Sequence, residues 1–366
     1  MRRSGLYGTP LAFVQEPLWL ATQLDPANTS YNRSLVLALE GPLNSQALER
    51  PLNEIVRRHE TLRTTFQLGA NGPRQTIARE GIQNLKYCDL SHIQKSEMEE
   101  TFITSVIREV ATPFDLVHGP VYRATLFRLS RSEHRLVVIL RHLKSDGRSD
   151  GVFYFYKELE ALYNRFCRGE SLPLPELSIQ YGDFVLWQRQ WLTGETLESQ
   201  LAYWKNRLKG LQTFQVFPET KTPSGRTRQS GKREKVLFSP LQTNFMKTFS
   251  RQEGVTSFMV LLAGFFILLH QWTQKIDLIC GVPLANRMHP LLEPLIGLFV
   301  NTLPFRSTIQ EEYTFRTYIQ YVHSLNLETI SHADVPIQEL RQRLRHTRDL
   351  IGTFLFQVLF VFENAP

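Results

Sequence analysis

Arg135-Leu136-Val137-Val138-Ile139-Leu140-Arg141-His142-Leu143-Lys144-Ser145-Asp146-Gly147-Arg148-Ser149-Asp150-Gly151 starts as an apolar, β-branched run and ends in polar residues. The run predicts a buried strand that stops at His142. A short loop with Asp146 and Gly147 follows. Beyond it Val152, Phe155, Tyr156, Leu159, Leu162, Tyr163 and Phe166 recur at helical spacing, and Ser149 or Asp150 can cap that helix by accepting orphan N–H groups. An imidazole thus sits where a strand stops, four residues before a carboxylate. A rigid strand fixes a base while the loop beside it stays open to substrate. Taken singly, the same residues are ordinary: a strand-end histidine can be purely structural, and Asp-Gly is a turn dipeptide.

The preceding chain completes a lobe around that strand. Residues 10–24 read as a helix with Pro17 near its middle or at a restart, because proline removes a backbone donor. Tyr31–Glu40 alternates Leu35, Leu37 and Leu39, as a strand does. Asn44 or Ser45 caps an amphipathic helix through Leu48, Leu52, Ile55 and Val56. A strand is expected around Thr64–Gln67, a helix over 98–110, a strand over Val121–Leu129 and a hairpin turn at Arg131–His134. This order implies an α/β lobe with a mixed sheet.

After the opening stretch, Gly169–Pro175 reads as a linker. Tyr181–Leu192 and Leu197–Leu208 read as helices whose aromatics pack rather than stack on a ligand. Residues 218–235, rich in Lys, Arg, Ser and Gly, read as a solvated loop. A second α/β lobe follows. Its expected elements are a strand at Val236–Phe238, a helix from Ser239-Pro240 to Ser250, an apolar helix capped by Thr256 or Ser257, a strand at Ile276–Gly281, a buried strand at Gly297–Arg306, helices over Phe315–Ser331 and Pro336–Leu344, and an apolar strand at Phe354–Phe362. An apolar strand so near the end is expected to pair inside a sheet, or else the chain is a fragment.

The 366 residues suit two domains or lobes, and a composition 42% hydrophobic and 21% charged is that of a soluble globular protein. The net charge of +7 favours an acidic partner surface, or is merely a solubility trait. Nucleic acid is not expected, since no zinc-ligand spacing or recognition signature is present. Cys88, Cys167 and Cys280 lie far apart, which points to reduced thiols and the cytoplasm. None has metal-site spacing. The most apolar run, Phe258–Leu269, is too short to span a bilayer, so no membrane is expected.

Gly147-Arg148-Ser149-Asp150-Gly151 also fits G-x-S-x-G, the nucleophile elbow of serine hydrolases, with His323, His332 and His346 downstream. An elbow needs its strand to run straight into the first glycine, and here the strand ends at His142.

The motifs taken together resemble the condensation domain of nonribosomal peptide synthetases, a member of the chloramphenicol-acetyltransferase-like superfamily. Residues 11–24 resemble its first core motif, and Arg58-His59-Glu60-Thr61-Leu62-Arg63-Thr64-Thr65-Phe66 resembles the second. Residues 141–149 resemble the central HHxxxDGxS motif. Tyr181–Arg189, Ile296–Leu303, His332–Pro336, and Arg348-Asp349 with Phe356–Phe360 resemble the remaining four, in order.

The resemblance implies two α/β lobes with mixed sheets arranged in a V: an N-terminal lobe over 1–175, a helical connection over 176–217 and a C-terminal lobe over 218–366. The family domain continues past the seventh motif, so the second lobe is expected to be incomplete. The implied reaction is amide-bond formation between a carrier-bound acyl or peptidyl donor and an aminoacyl acceptor. The implied partners are carrier proteins and adenylation modules. No cofactor is expected to be bound by the chain itself; the implied substrates ride on phosphopantetheine arms. His142 would act as base or hold the amine, Asp146 would pair with Arg287, and Gly147 would offer its N–H to the oxyanion. Arg141, Ser149 and Asn301 would line the substrate path. Arg141 replaces the first motif histidine and Pro17 replaces an arginine. Those changes also fit a non-catalytic remnant that docks carrier proteins.

Overall fold

The computed structural model describes residues 7–70, 72–81, 84–146, 150–170, 174–211, 216, 231–344 and 355–363. The chain forms two compact units. The first holds Met1–Thr193, Ala285–Val300 and Glu363–Pro366, and the second Gly194–Leu284 and Asn301–Phe362.

The first unit is built on a four-stranded sheet of β2 (Asn32–Glu40), β5 (Lys86–Asp89), β6 (Tyr122–Arg128) and β7 (Glu133–Arg141), in the order β2-β7-β6-β5. β7 is antiparallel to both neighbours, and β5 runs parallel to β6. Alternation along β7 divides its side chains between two cores. Leu136, Val138 and Leu140 join Leu48, Leu52 and Ile55 of α2 (Ser45–Arg58) and Phe155, Leu159 and Leu162 of α4 (Asp150–Cys167). Val137 and Ile139 face the other way, against Trp19 of α1 (Glu16–Leu24) and Phe102 of α3 (Lys95–Val110). Pro17 lies in the first turn of α1, where its missing donor costs nothing, so it restarts the chain as helix. Asn44 caps α2 by accepting from the Ala47 N–H at 3.0 Å.

A second sheet in this unit, β1 (Tyr7–Pro10), β4 (Gly72–Ile77) and β3 (Thr64–Gly69), is antiparallel with β4 in the centre. β4 and β5 are short and polar, so their sequences carry no strand periodicity. Gln75 of β4 is nevertheless buried, and its amide donates to the Pro10 carbonyl at 2.8 Å.

Residues 176–217, expected to connect the lobes, divide between the units. α5 (Tyr181–Trp191) belongs to the first and α6 (Gly194–Arg207) to the second. Tyr181, Phe184 and Val185 of α5 form a core with Leu292, Leu295 and Phe299 of the strap Ala285–Val300. That strap was expected in the C-terminal lobe but packs within the first unit.

The second unit contains α7 (Pro240–Gln252), α8 (Ser257–Thr273), the antiparallel pair β8 (Asp277–Leu284) and β9 (Asn301–Thr308), α9 (Phe315–Ser331) and α10 (Ile337–Leu344). α8 packs on α9, and α9 on β9, where the Ser307 and Tyr318 hydroxyls meet at 2.7 Å. The strand expected at Val236–Phe238 is absent: residues 231–239 carry no regular structure and those three side chains are exposed. Of the apolar strand expected at Phe354–Phe362, the described part makes one bridge, Leu359 beside Gly281. Among the described residues no single helix is long and apolar enough to cross a membrane.

Gly281 is the seat of that bridge. Its N–H donates to the Val358 carbonyl at 2.9 Å, and its own carbonyl accepts from Phe360 at 2.8 Å. A Cβ there would stand 2.4 Å from Phe356 and 2.6 Å from Leu359. Gly281→Ala is therefore expected to destabilise the fold by about 1–3 kcal/mol, as overpacking does. A lowered denaturant midpoint checks this; an unchanged midpoint contradicts it.

Candidate functional site

The site lies at the end of β7 in the first unit. The backbone N–H of His142 donates to the Tyr31 carbonyl at 2.8 Å, which carries the β2–β7 ladder one step past Arg141. Residues 142–144 then form a 3-10 turn. The His142 ring is partly buried, and its Nδ1 lies 2.7 Å from the Ser145 carbonyl oxygen. A carbonyl can only accept, so Nδ1 carries the proton and the neutral ring presents its lone pair at Nε2. Burial lowers the proton affinity of this ring below that of an ordinary histidine. The Ser145 bond opposes that, the charge of Arg33 adds to it, and Asp146 opposes it.

The turn is held on every side. Gln15, buried just before α1, donates from Nε2 to the Leu143 carbonyl at 2.9 Å. Its Oε1 accepts from the Ala12 N–H at 2.9 Å. Lys144 is fully buried, bonded to the Thr64 carbonyl of β3, with its Nζ 4.1 Å from the Phe66 ring centroid. Burial pushes the Lys144 ammonium well below its ordinary value.

Asp146 ends the described part of the loop. Its carboxylate is completely buried, with 0% of the side chain exposed, and Arg287 of the strap pairs with it at 2.9 Å. The other oxygen accepts from the Phe299 N–H at 2.6 Å and the Val300 N–H at 3.0 Å. Burial raises the Asp146 carboxyl, and Arg287 and the two amides pull it back. Arg287 also donates to the Leu292 and Leu295 carbonyls and lies 4.1 Å over the Phe299 ring. These bonds explain why the strand expected from Gly297 begins only at Asn301: the Phe299 and Val300 amides serve the carboxylate instead of a ladder.

The same strap is fixed at three more points. Thr61 Oγ1 donates to the Ile296 carbonyl at 2.8 Å, and Tyr181 Oη to the Leu298 carbonyl at 2.7 Å. His59 Nδ1 lies 3.5 Å from the Ile296 N–H, while its Nε2 meets Glu158 at 2.8 Å. Arg58 holds the other Glu158 oxygen at 2.8 Å. Burial would raise the Glu158 carboxyl, but the His59 and Arg58 bonds outweigh it and hold it below the usual range. At Gly297 a Cβ would stand 2.2 Å from the Tyr181 ring, so only glycine permits this approach.

Of the residues expected from the sequence, His142, Asp146 and Arg287 come together here. Gly147 and Ser149 lie outside the described residues, as do Arg348 and Asp349. Arg141, expected to touch substrate, projects from the opposite face of β7 because neighbours on a strand alternate. Its buried guanidinium donates to the Asn28 carbonyl at 2.7 Å, the Thr22 hydroxyl at 2.8 Å and Asn32 Oδ1 at 3.1 Å, and lies 5.6 Å over Tyr31. Burial lowers its proton affinity. Among the described residues no carboxylate pairs with it; neutral oxygens and a ring suffice. Asn301, also expected on the substrate path, lies in the second unit. It donates to the Ala333 and Val335 carbonyls at 2.8 and 2.9 Å and accepts from the Ile337 N–H at 3.3 Å, so it holds the start of α10. Gln15, Lys144 and Tyr181 do not stand out in the sequence as site residues. Gln15 and Tyr181 lie inside recognised motifs, and Lys144 is a lone cation beside an apolar strand end.

The elbow of a serine hydrolase would need β7 to reach Gly147 directly. A 3-10 turn and the anchored Asp146 intervene.

Asp146→Ala would leave the Arg287 charge buried without its carboxylate, at an expected cost of about 3–5 kcal/mol. Adding Arg287→Met should recover part of that loss. Denaturant unfolding of the two singles and the double closes the cycle, and strict additivity would show that the pair is not coupled.

A condensation-domain family model matches residues 8–366. The chain is 38% identical to a linear gramicidin synthase protein of Brevibacillus parabrevis over 97% of its length, and 34% identical to the malpinin synthetase of Mortierella alpina over 97%. It spans 7% and 4% of those two proteins. Among solved structures, the first condensation domain of the calcium-dependent antibiotic synthetase, in complex with a substrate analogue, superposes with a TM-score of 0.79 at 21% identity, covering 98% of this chain and 80% of that one. The X-domain in its complex with OxyB from teicoplanin biosynthesis gives a TM-score of 0.78 at 25% identity, covering 98% and 79%. By family model, relatives and fold alike, the chain belongs to the condensation-domain family of nonribosomal peptide synthetases.

Proposed function

We propose that this chain forms an amide bond between a donor acyl or peptidyl thioester and an acceptor aminoacyl thioester. Each substrate is held on the phosphopantetheine arm of a carrier protein. The observation that carries the reading is the Nδ1 bond of His142 to the Ser145 carbonyl at 2.7 Å, which leaves Nε2 as the basic nitrogen. That nitrogen accepts a proton from the acceptor's ammonium or attacking amine. The amine nitrogen bonds to the donor carbonyl carbon, the carbon–sulfur bond breaks, and the departing pantetheine sulfur leaves as a thiol once protonated. Gly147, next in sequence to the anchored Asp146, is the proposed N–H donor to the oxyanion. Arg141 lies on the face of β7 away from His142, so the guanidinium that replaces a histidine makes its bonds away from the proposed base. Carrier proteins and adenylation modules of a cytoplasmic synthetase are the proposed partners, and no cofactor resident in the chain is required.

The test supplies two loaded carrier proteins and reads the transferred acyl chain by mass spectrometry. Transfer is expected with the native chain, falling about 10²–10⁴-fold in His142→Ala. Equal transfer by the variant would remove His142 from the chemistry.

The pH dependence follows from burial. Only the neutral imidazole accepts a proton, and burial makes this ring give up its proton more readily. Transfer should therefore rise with pH through an acid limb centred below the ordinary histidine value of about 6.5 and level off near neutrality. In the same window the unfolded chain binds this proton more tightly than the folded one. His142 thus adds stability above about pH 6.5 that is lost as pH falls through its lowered value.

A further inference from the structure

β2 places a second charge on the face of the sheet that carries His142. Register sets Arg33 opposite Leu140 and Asn32 opposite Arg141, so Tyr31 falls opposite His142. On an antiparallel pair, the residue two along from the direct partner is the diagonal neighbour on the same face. Arg33 is therefore one diagonal step from His142, on the side of Leu35 and Leu140, while Arg141 and Asn32 face the other core. Arg33 is exposed, and among the described residues it makes no hydrogen bond or ion pair. An arginine on a protein surface commonly finds a carboxylate. Here the nearby Asp146 carboxylate is buried and spent on Arg287, Phe299 and Val300.

The geometry points to Arg33 as a residue that, beside burial, biases the charge state of the condensation site: its exposed guanidinium, a diagonal step from His142, favours the base form of the imidazole and an amine over an ammonium in the incoming acceptor. The inference rests on the condensation reading for its catalytic half only. A fixed cation makes any second cation nearby more costly, so both the imidazolium and the acceptor ammonium release their protons more readily. Among the described residues the charged groups that bear on the ring are two: Arg33 on β2, which drives the proton off, and Asp146 on the following loop, which draws it on. Asp146 is locked in its own ion pair, so Arg33 is the adjustable member. Because Arg33 is exposed, its influence is open to screening by salt.

The experiment follows the His142 ring resonances of the free chain by NMR titration, assigned by their loss in His142→Ala. The native protein, Arg33→Gln and Arg33→Lys are compared. The midpoint is expected to rise in Arg33→Gln, to stay near the native value in Arg33→Lys, and to lose most of the difference in 1 M salt. Superimposable titrations for the native chain and Arg33→Gln would overturn the inference. The acid limb of acyl transfer between loaded carriers is then measured for the same three proteins and should move with the ring. If the ring titration shifts but none of the proteins transfers, the condensation reading fails while the electrostatic role stands. If all transfer and the Arg33→Gln limb overlays the native one, the catalytic half of the inference is overturned.

Discussion

The buried Asp146 carboxylate is the point on which the site depends. It takes an ion pair from Arg287 and two backbone N–H bonds from Phe299 and Val300, with no part of the side chain exposed. A carboxylate removed from water is tolerated only when its lone pairs are satisfied and its charge is met. This one is met by a strap that is remote in sequence. One anion thus orders the loop after β7 and the strap Ala285–Val300 together, and His142 is carried on the same loop.

Around that anchor the turn bearing His142 has little freedom. Its amide is tied to Tyr31, the Leu143 carbonyl to Gln15, the Lys144 ammonium to Thr64, and the imidazole itself to Ser145. The first three bonds come from distant parts of the first unit and fix the turn, and the fourth, from Ser145 of the same loop, aims the ring. Such preorganisation suits the role proposed for Nε2, because the surroundings of a fixed ring need not reorganise at the moment of reaction. The buried Lys144 shows how far the packing goes: its amino group is desolvated to close the gap between the turn and the β3 strand, against the face of Phe66.

Much of this was legible in the chain. The alternation of β2, the capped amphipathic α2, the β-branched run of β7 and the helix after it all follow from periodicity and capping, and the pairing of Asp146 with Arg287 followed from motif resemblance. What could not be read has specific causes. β4 and β5 are short and polar, and a strand such as Gly72–Ile77 is held by its neighbours rather than by its own pattern. Gly297–Val300 looks like strand because it is apolar, yet its amides are claimed by a carboxylate 153 residues away in sequence. Arg141 next to His142 suggested a shared site, although strand alternation alone sends adjacent side chains to opposite faces. Asn301 looked like a polar lining and proved to be a fully bonded amide. The diagonal placement of Arg33 needs the β2–β7 register, which no single strand reveals.

The strap has one more consequence. β8 and β9 lie side by side in the second unit, yet the chain that joins them leaves to fold with the first. No single cut therefore separates the two units. Anyone exchanging halves between related synthetases at one boundary would keep the strand pair and replace the arginine that anchors the other half's loop, or the reverse. The interchangeable part is not a contiguous stretch of sequence but a lobe together with its borrowed strap, and recombination would have to respect both junctions at once.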